Sequence, residues 1–451
     1  MSSFAGRRVL VVGLGASGFS AAKALVELEA KVRVTELNET PATIGRAEIL
    51  RREGVEVEMG EHDLDRLDAD LAILSPGIPP FAPIVRAIRS EHIDVWSEVE
   101  LAYRLARCDF LAVTGTNGKT TTTAMLGAIL AEAGITSAAA GNIGWPLIEA
   151  IAAVPEGGAI AVEVSSFQLA ATETFRPRIA VVLNIAEDHT DWHGSVDEYV
   201  AAKARIVANQ TAEDAFLPNA ADERAMEMAS MTAARVVPFS SSTQPDHGIG
   251  VRAGFIVREG VRLLAVDDVP ISGEAGLEDA VAAVGAALEY GLDPRAIARA
   301  VRSFRPLAHR LEVVARAGGI SYIDDSKATN PHATLAAVRG LHDVVLIAGG
   351  RSKGVDLSAL AGTVPPVVAV VALGEARDAV AQAFDGVAPV EVVDTMEQAV
   401  RAARSKAKPG GSVLLSPGCA SLDMYESYSA RGEDFARCVR AGLEGLPAEG
   451  G

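Results

Sequence analysis

The chain has 451 residues, 49% hydrophobic and 22% charged, which at about 150 residues per domain implies roughly three folded domains and not a disordered polymer. Its 59 acidic side chains outnumber 41 basic ones for a formal net charge of -18, so the surface as a whole repels a polyphosphate backbone and no nucleic-acid partner is expected. Three cysteines, Cys108, Cys419 and Cys438, lack both the close pairing of a metal site and the even count of a disulfide framework, which fits a reducing cytoplasm.

The amino terminus, Arg7-Arg8 followed by VLVVGLGASG, resembles a basic flank and an apolar signal core, but Gly13, Gly15, Gly18 and then Lys23 break the run in the manner of a strand, a turn and a helix. No other segment has the uninterrupted apolar length of a membrane span, so no membrane insertion and a cytoplasmic location are expected. Short apolar, β-branched runs then alternate with alanine-rich helical stretches almost to the end, which predicts an α/β chain of parallel sheets covered by helices. Strands at 9–12, 31–35 and 71–74, the last entering the turn Ser75-Pro76-Gly77, make a Rossmann-like unit over 1–100. A second unit, 101–304, holds the phosphate chemistry, with strands at 110–113, 159–164 and 179–184 and a closing helix over 278–290. A third, 305–451, has strands at 320–323, 344–348, 367–372 and 412–416 and reads as another Rossmann-like layer. The stretch 222–272 carries polar turns and short alternating strands without a chemical motif, and the tail LEGLPAEGG is expected to fray.

The first glycine fingerprint, Gly13-Leu14-Gly15-Ala16-Ser17-Gly18, follows a strand, and Glu36 ends the next strand where an acidic residue often grips a ribose. Such glycines serve a dinucleotide, any other pyrophosphate at a helix N-terminus, or a tight turn with no ligand. The second is more specific. The strand Leu111-Ala112-Val113 runs into Thr114-Gly115-Thr116-Asn117-Gly118-Lys119-Thr120-Thr121, and an apolar helix follows to about Glu132 with Gly134 as its stop. This is a P-loop: glycines turn backbone N–H groups toward phosphates, the helix start favours negative charge, Lys119 can reach the β and γ oxygens, and the Thr120 hydroxyl suits Mg²⁺. The usual first glycine falls at Val113, so the loop is a shortened form with Gly115 as its turn residue.

Glu163 ends an apolar strand and precedes Ser165-Ser166-Phe167-Gln168-Leu169; at a strand's carboxyl end it is either a Mg²⁺ ligand or a cap for the next helix. His189, in Asn184-Ile185-Ala186-Glu187-Asp188-His189, is either a ligand or part of a solvated acidic loop. Lys203, inside the helical pattern YVAAK, reads from residue chemistry alone as solvated helix surface.

Together these segments carry a resemblance. TGTNGKTTTT, GNIG at 141–144, EVSSFQL at 163–169, LNIAEDHTD at 183–191 and YVAAK at 199–203 resemble the central domain of the Mur ligases. IDDSKATNP at 323–331, IAGGRSKGVDLS at 347–358 and LLSPGCASLDMY at 414–425 are similar to the D-glutamate-adding branch. The resemblance implies a three-domain, ATP-dependent ligase that activates the carboxylate of UDP-N-acetylmuramoyl-L-alanine as an acyl phosphate and joins it to D-glutamate. Other Mur-type or folylpolyglutamate-type amide ligases, an NTP-operated switch and an NAD(H) dehydrogenase are the alternatives. By the same resemblance Lys119, Glu163, His189 and Lys203 are catalytic. Gly115, Thr116, Asn117, Gly118, Lys119, Thr120, Thr121, Arg310, Asp325 and Lys327 hold ATP. Thr120, Glu163, His189 and a CO₂-derived carbamate on Lys203 hold Mg²⁺, two ions being expected. Ser17, Asn142 and Ser165 fall to the muramoyl substrate, Thr329 to the segment over the reaction centre, and Lys353, Ser421, Leu422 and Tyr428 to D-glutamate. A monomer is expected. Where the family commonly has a His-Asn pair opening the helix against adenosine, this chain has Gly273-Glu274-Ala275-Gly276, and Asn38 stands where some relatives use arginine against uracil, so altered nucleotide selectivity is expected.

Overall fold

The computed structural model of the chain describes residues 4–271, 273–305, 308–352 and 354–443, and of Asp191 the backbone alone. The frayed tail expected over 443–451 lies, past its first residue, outside them, as does Lys353. Contacts divide the chain into two compact units, one taking in the described residues to Asp268 with Asp279–Ser303, the other Val269–Glu278 with the described residues from Phe304 onward.

The first unit begins with strands β1 (Arg8–Val12), β2 (Lys31–Glu36), β3 (Glu56–Met59), β4 (Leu71–Leu74) and β5 (Asp94–Ser97), all parallel in the order β3-β2-β1-β4-β5. This is a Rossmann-like half whose crossover reverses at β1 and β4, and such a reversal opens a ligand crevice at the strands' carboxyl ends. The apolar residues of β1 are buried on both faces, as a strand covered by helices requires. Next come β6 (Asp109–Thr114), β7 (Ser137–Gly141), β8 (Ala159–Glu163), β9 (Ile179–Val182), β10 (Ala215–Pro218) and β11 (Arg235–Val236), parallel in the order β11-β10-β9-β6-β8-β7. The stretch read as lacking a motif forms a separate small sheet, β12 (Phe239–Ser240), β13 (Ile249–Arg252), β14 (Phe255–Arg258) and β15 (Val261–Ala265), antiparallel beyond its first pair. One buried apolar cluster runs from Val9 and Val11 through Trp96 and Val99 to Phe110, Phe175 and Phe216, so the two parallel sheets share a core. Each such side chain fully buried contributes about 1.5–3 kcal/mol of transfer free energy.

The helix Glu98–Leu105 joins those sheets. Ser97 caps it, and the Ser97 N–H donates to Ala171 O at 2.7 Å. Glu100, fully buried two residues on, accepts from the N–H groups of Glu173, Thr174 and Phe175, from the Thr174 hydroxyl at 2.6 Å and from Arg104.

The second unit holds β16 (Glu312–Ala317), β17 (Ile320–Asp324), β18 (Val344–Gly349), β19 (Val367–Leu373), β20 (Val390–Val392) and β21 (Ser412–Leu415), in the order β16-β17-β21-β18-β19-β20. β16 pairs antiparallel with β17 and the rest are parallel, which keeps the predicted Rossmann-like layer and adds a hairpin at its edge. The helix predicted over 278–290 begins earlier, as Gly273–Glu289.

Candidate active site

β6 delivers the phosphate loop. The Thr114 hydroxyl donates to Val164 O at 2.8 Å, Gly115 takes φ +156° and Gly118 φ +83°, and the helix Lys119–Glu132 starts at once. A methyl group on Gly115 would press to 3.0 Å from Leu183 Cβ, and one on Gly118 would overlap the Asp279 carboxylate, so both turns need glycine. Asn184, at the end of β9, accepts from the Asn117 N–H through Oδ1 at 2.8 Å and from the Thr116 N–H through its carbonyl at 2.8 Å. The Thr116 hydroxyl meets the Tyr199 hydroxyl at 2.8 Å. Lys119 curls back over the loop and donates to Gly115 O and Thr116 O at 2.8 and 2.9 Å, while Thr120 and Thr121 are buried at the helix start. The loop's shape is fixed by its own bonds to Asn184 and Lys119, with the lysine over the cradle.

Glu163 closes β8, is 2% exposed, and accepts from the Asn142 amide through Oε1 at 2.8 Å. Its other oxygen, Oε2, is buried without a hydrogen-bond partner. The capping alternative for Glu163 fails, because Ser165 caps the helix Ser166–Leu169 in a capping box with Gln168. A buried carboxylate oxygen with no donor is of the chemistry that fits a hard cation such as Mg²⁺. His189 has the left-handed φ of +53°, stands at the start of the helix Thr190–His193, packs against Phe167 and has Nε2 3.6 Å from Asp188 Oδ2.

Lys203 corrects the reading from residue chemistry. It is 1% exposed, and its amine donates to Gly115 O at 2.8 Å, the carbonyl that Lys119 also uses. Burial and then the Lys119 charge hold its pKa well below the ordinary lysine range, against the pull of Asp188 and Glu163. Four residues to which motif reading gave no role join this set: Tyr199 and Asn184, which lie inside quoted motifs, Asp279, and Asp222, whose carboxylate accepts from the Ile185 N–H at 2.7 Å and so anchors the segment leading to His189. Asp222 gives no signal in the sequence beyond being an acidic N-cap.

At the carboxyl ends of β1 and β4 a cavity of about 700 Å³ is lined by Gly13, Ser17, Glu36, Asn38, His62 and Pro76, among others. That size suits a nucleotide. Glu36 spends its oxygens on the turn, accepting from the N–H groups of Leu14 at 2.6 Å and Asn38 at 2.7 Å.

In the second unit His309, at φ +63°, pairs through Nδ1 with Asp324 Oδ2 at 2.7 Å. Asp325 accepts from the Ser416 hydroxyl at 2.8 Å and is pushed up to about 7 by burial, with Ser416 and Arg310 opposing. The Lys327 amine lies 5.2 Å from the Tyr428 ring centroid. Ser326 donates to Tyr428 O at 2.8 Å and, with Cys419 O, is gripped by the buried guanidinium of Arg431. Ser421 is buried, Thr329 partly so, and Leu422 is 56% exposed. In the first unit Lys119 and Lys203 meet at the Gly115 carbonyl and Asn142 meets Glu163; in the second Lys327 lies by Tyr428, while Lys353 falls outside the described residues.

Residues 7–97 match the MurD-like N-terminal domain of Mur ligases, 113–287 the Mur ligase middle domain and 309–419 the Mur ligase glutamate ligase domain. The chain is 44% identical to the UDP-N-acetylmuramoylalanine--D-glutamate ligase of Frankia casuarinae over 97% of this chain and 95% of that one. It is 40% identical to the corresponding ligase of Pelotomaculum thermopropionicum over 97% and 98%. The solved UDP-N-acetylmuramate-alanine ligase of Thermotoga maritima shares the fold, with a TM-score of 0.60 at 19% identity over 97% of this chain and 100% of that one. The chain belongs to the Mur ligase family, enzymes of three α/β domains built around a phosphate loop. Within that family it is 38–44% identical, over nearly its whole length, to D-glutamate-adding ligases.

Proposed function

We propose that the chain is an ATP-dependent ligase that adds D-glutamate to UDP-N-acetylmuramoyl-L-alanine through an acyl phosphate, in peptidoglycan precursor synthesis. The observation that carries this is the alignment of essentially the whole chain, its glutamate ligase domain included, with ligases of that one specificity. The domains of the reading are 1–100 for the UDP substrate, 101–304 for ATP and 305–451 for the amino acid.

Bringing a carboxylate to a triphosphate opposes like charges, and one unit pair at 4 Å costs about 4 kcal/mol at an effective dielectric of 20. Lys119 and the helix start behind it offset that repulsion and align the γ-phosphate with the incoming carboxylate. Thr120, Glu163, His189 and a carbamate on Lys203 would hold Mg²⁺, two ions in this reading, which would supply the remaining charge neutralisation. Asn142 holds Glu163 in place, and Ser17, Asn142 and Ser165 orient the acceptor. Arg310, Asp325 and Lys327 serve the nucleotide, with Thr329 on the segment that follows. Ser421, Leu422, Tyr428 and Lys353 present D-glutamate, whose neutral amine attacks the acyl phosphate and expels inorganic phosphate.

Lys203 is proposed to carry a carbamate. An amine must be unprotonated to attack CO₂, and burial beside Lys119 shifts the Lys203 amine toward that state. The N–C bond forms, one proton leaves, and the resulting anion would serve as an acidic ligand for Mg²⁺. A ¹³C carbamate resonance from protein equilibrated with ¹³C-bicarbonate, lost in Lys203→Ala, is the expected result. A monomer in the cytoplasm completes the reading; among the described residues no helix is long and apolar enough to cross a membrane.

The test is a coupled assay of ADP release with UDP-N-acetylmuramoyl-L-alanine and, in turn, D-glutamate, L-glutamate, L-alanine and meso-diaminopimelate. ADP, phosphate and the amide should appear together, and only with D-glutamate. ADP release independent of the amino acid would replace this reading with a nucleotide-operated switch.

A further inference from the structure

Glu98, the first residue of the helix joining the two sheets of the first unit, is 1% exposed, yet no part of the mechanism above uses it. Its Oε1 accepts from the Ile148 N–H at 2.9 Å, Oε2 is buried without a hydrogen bond, the Ser17 hydroxyl and the Leu147 N–H are near enough to favour the charged carboxyl, and its helix packs against both Ala16–Glu27 and Leu147–Ala153. Ser17 belongs to the glycine turn at the mouth of the nucleotide-sized cavity. Leu147 and Ile148 open the helix Leu147–Ala153, whose lead-in is the short loop closed by the Gly141 N–H on Trp145 O at 3.0 Å. That loop carries Asn142, which donates to the Glu163 side chain at 2.8 Å and, through its own N–H, to the Glu163 carbonyl at 2.9 Å. Glu98 therefore stands where the cavity wall and the support of the reaction centre meet. A parallel link repeats the connection, since the Ser20 hydroxyl of the helix Ala16–Glu27 donates to Glu149.

An acidic residue is an expensive choice for a purely structural strut. Burial raises the Glu98 carboxyl to about 7, and Glu149 adds a like charge. An apolar side chain would fill the space without that cost. What a carboxyl adds is the ability to take several donors from two elements at once.

We propose that Glu98 is a positioning residue for the acyl acceptor: it ties the 13–18 turn to the Asn142 loop, so that the nucleotide end and the carboxylate end of one bound substrate keep a fixed separation. The proposal rests on the ligase reading above. A substrate that bridges both points feels this tie, whereas ATP on its own loop and D-glutamate do not.

The experiment is steady-state kinetics on the full chain, with the KM of each substrate measured for wild type, Glu98→Ala and Glu98→Gln, beside their melting temperatures. Glu98→Ala should raise the KM for UDP-N-acetylmuramoyl-L-alanine about tenfold or more while the KM values for ATP and D-glutamate stay within about twofold. Glu98→Gln keeps an acceptor for the Ile148 N–H and should return the acceptor KM to within about threefold of wild type. If Glu98→Ala does not fold, Glu98→Asp, which pulls the carboxyl back by one methylene, should show the same selective rise. Equal changes in all three KM values, or a lower melting temperature with an unchanged acceptor KM, would mean a structural strut and overturn the proposal alone. A wild-type chain that makes no amide overturns the ligase reading, and this proposal with it.

Discussion

At Glu163 Oε2 an anionic oxygen is buried with no donor, an arrangement that a bound cation completes. Glu163→Gln keeps the shape and the Asn142 contact but loses the charge. ADP release should fall by about 100-fold or more, with the circular dichroism spectrum unchanged and the Mg²⁺-induced rise in melting temperature gone. Asp325 gives a pH prediction with a definite sign. Its carboxyl is raised in the folded state from 3.8 to about 7, so the protonated form is the stable one. The associated stability is complete below pH 3.8 and lost as pH climbs to about 7. At about 1.4 kcal/mol per pH unit, the ionised form costs roughly 4 kcal/mol in all. Asp325→Asn should therefore flatten the decline in melting temperature between about pH 4 and pH 7, measured by calorimetry. Lys203 shows where residue chemistry stopped: a lysine in an alanine-rich helix looks solvated, and only the path of β6 and its loop reveals the carbonyl it meets.

The phosphate loop was legible because its constraints are local. A strand, glycines at fixed offsets, a lysine and a helix all lie within one stretch, and glycine is demanded at Gly118 by a side chain 161 positions away that sequence does not show, Asp279. Gly118→Ala, forced against that carboxylate and the Leu183 side chain, should lower the melting temperature and abolish ATP binding in a fluorescent-nucleotide titration. Strands buried on both faces, such as β1, β6 and β18, were read from their apolar runs to within a residue or two at each end. Others were not: β3 alternates glutamate with apolar residues, β7 is Ser-Ala-Ala-Ala-Gly and carries a helix former's composition, and β11 and β12 are two residues each. The helix Gly273–Glu289 begins with glycine at φ +82°, and a methyl on Gly276 would overlap Ile271, so the start of this helix is specified for close packing. If the His-Asn start of relatives contacts adenosine, the Gly273–Gly276 turn lacks that contact, and competition assays should show a narrower preference for ATP over GTP.

Across the molecule the two compact units offer a convenient readout. The chain has three tryptophans, Trp96, Trp145 and Trp192, and all belong to the first. Melting followed by tryptophan fluorescence thus reports that unit, and UDP-N-acetylmuramoyl-L-alanine at about 100 times its Kd should stabilise it by about 2.7 kcal/mol. D-glutamate added alone should leave that transition where it was. Domain order and fold class followed from the alternation of strands and helices, whereas the joints between domains did not, because they depend on single polar groups reaching across long stretches of chain. Glu100 is the clearest of these joints. Its carboxylate is sequestered by donors at 173, 174 and 175, which leave the ribosome only after β7 and β8 have been made. A nascent chain that has emerged only as far as residue 105 has its first sheet complete but an acid with Arg104 alone to receive, so that joint sets only once the second sheet is being woven, and the two halves of this unit mature as one.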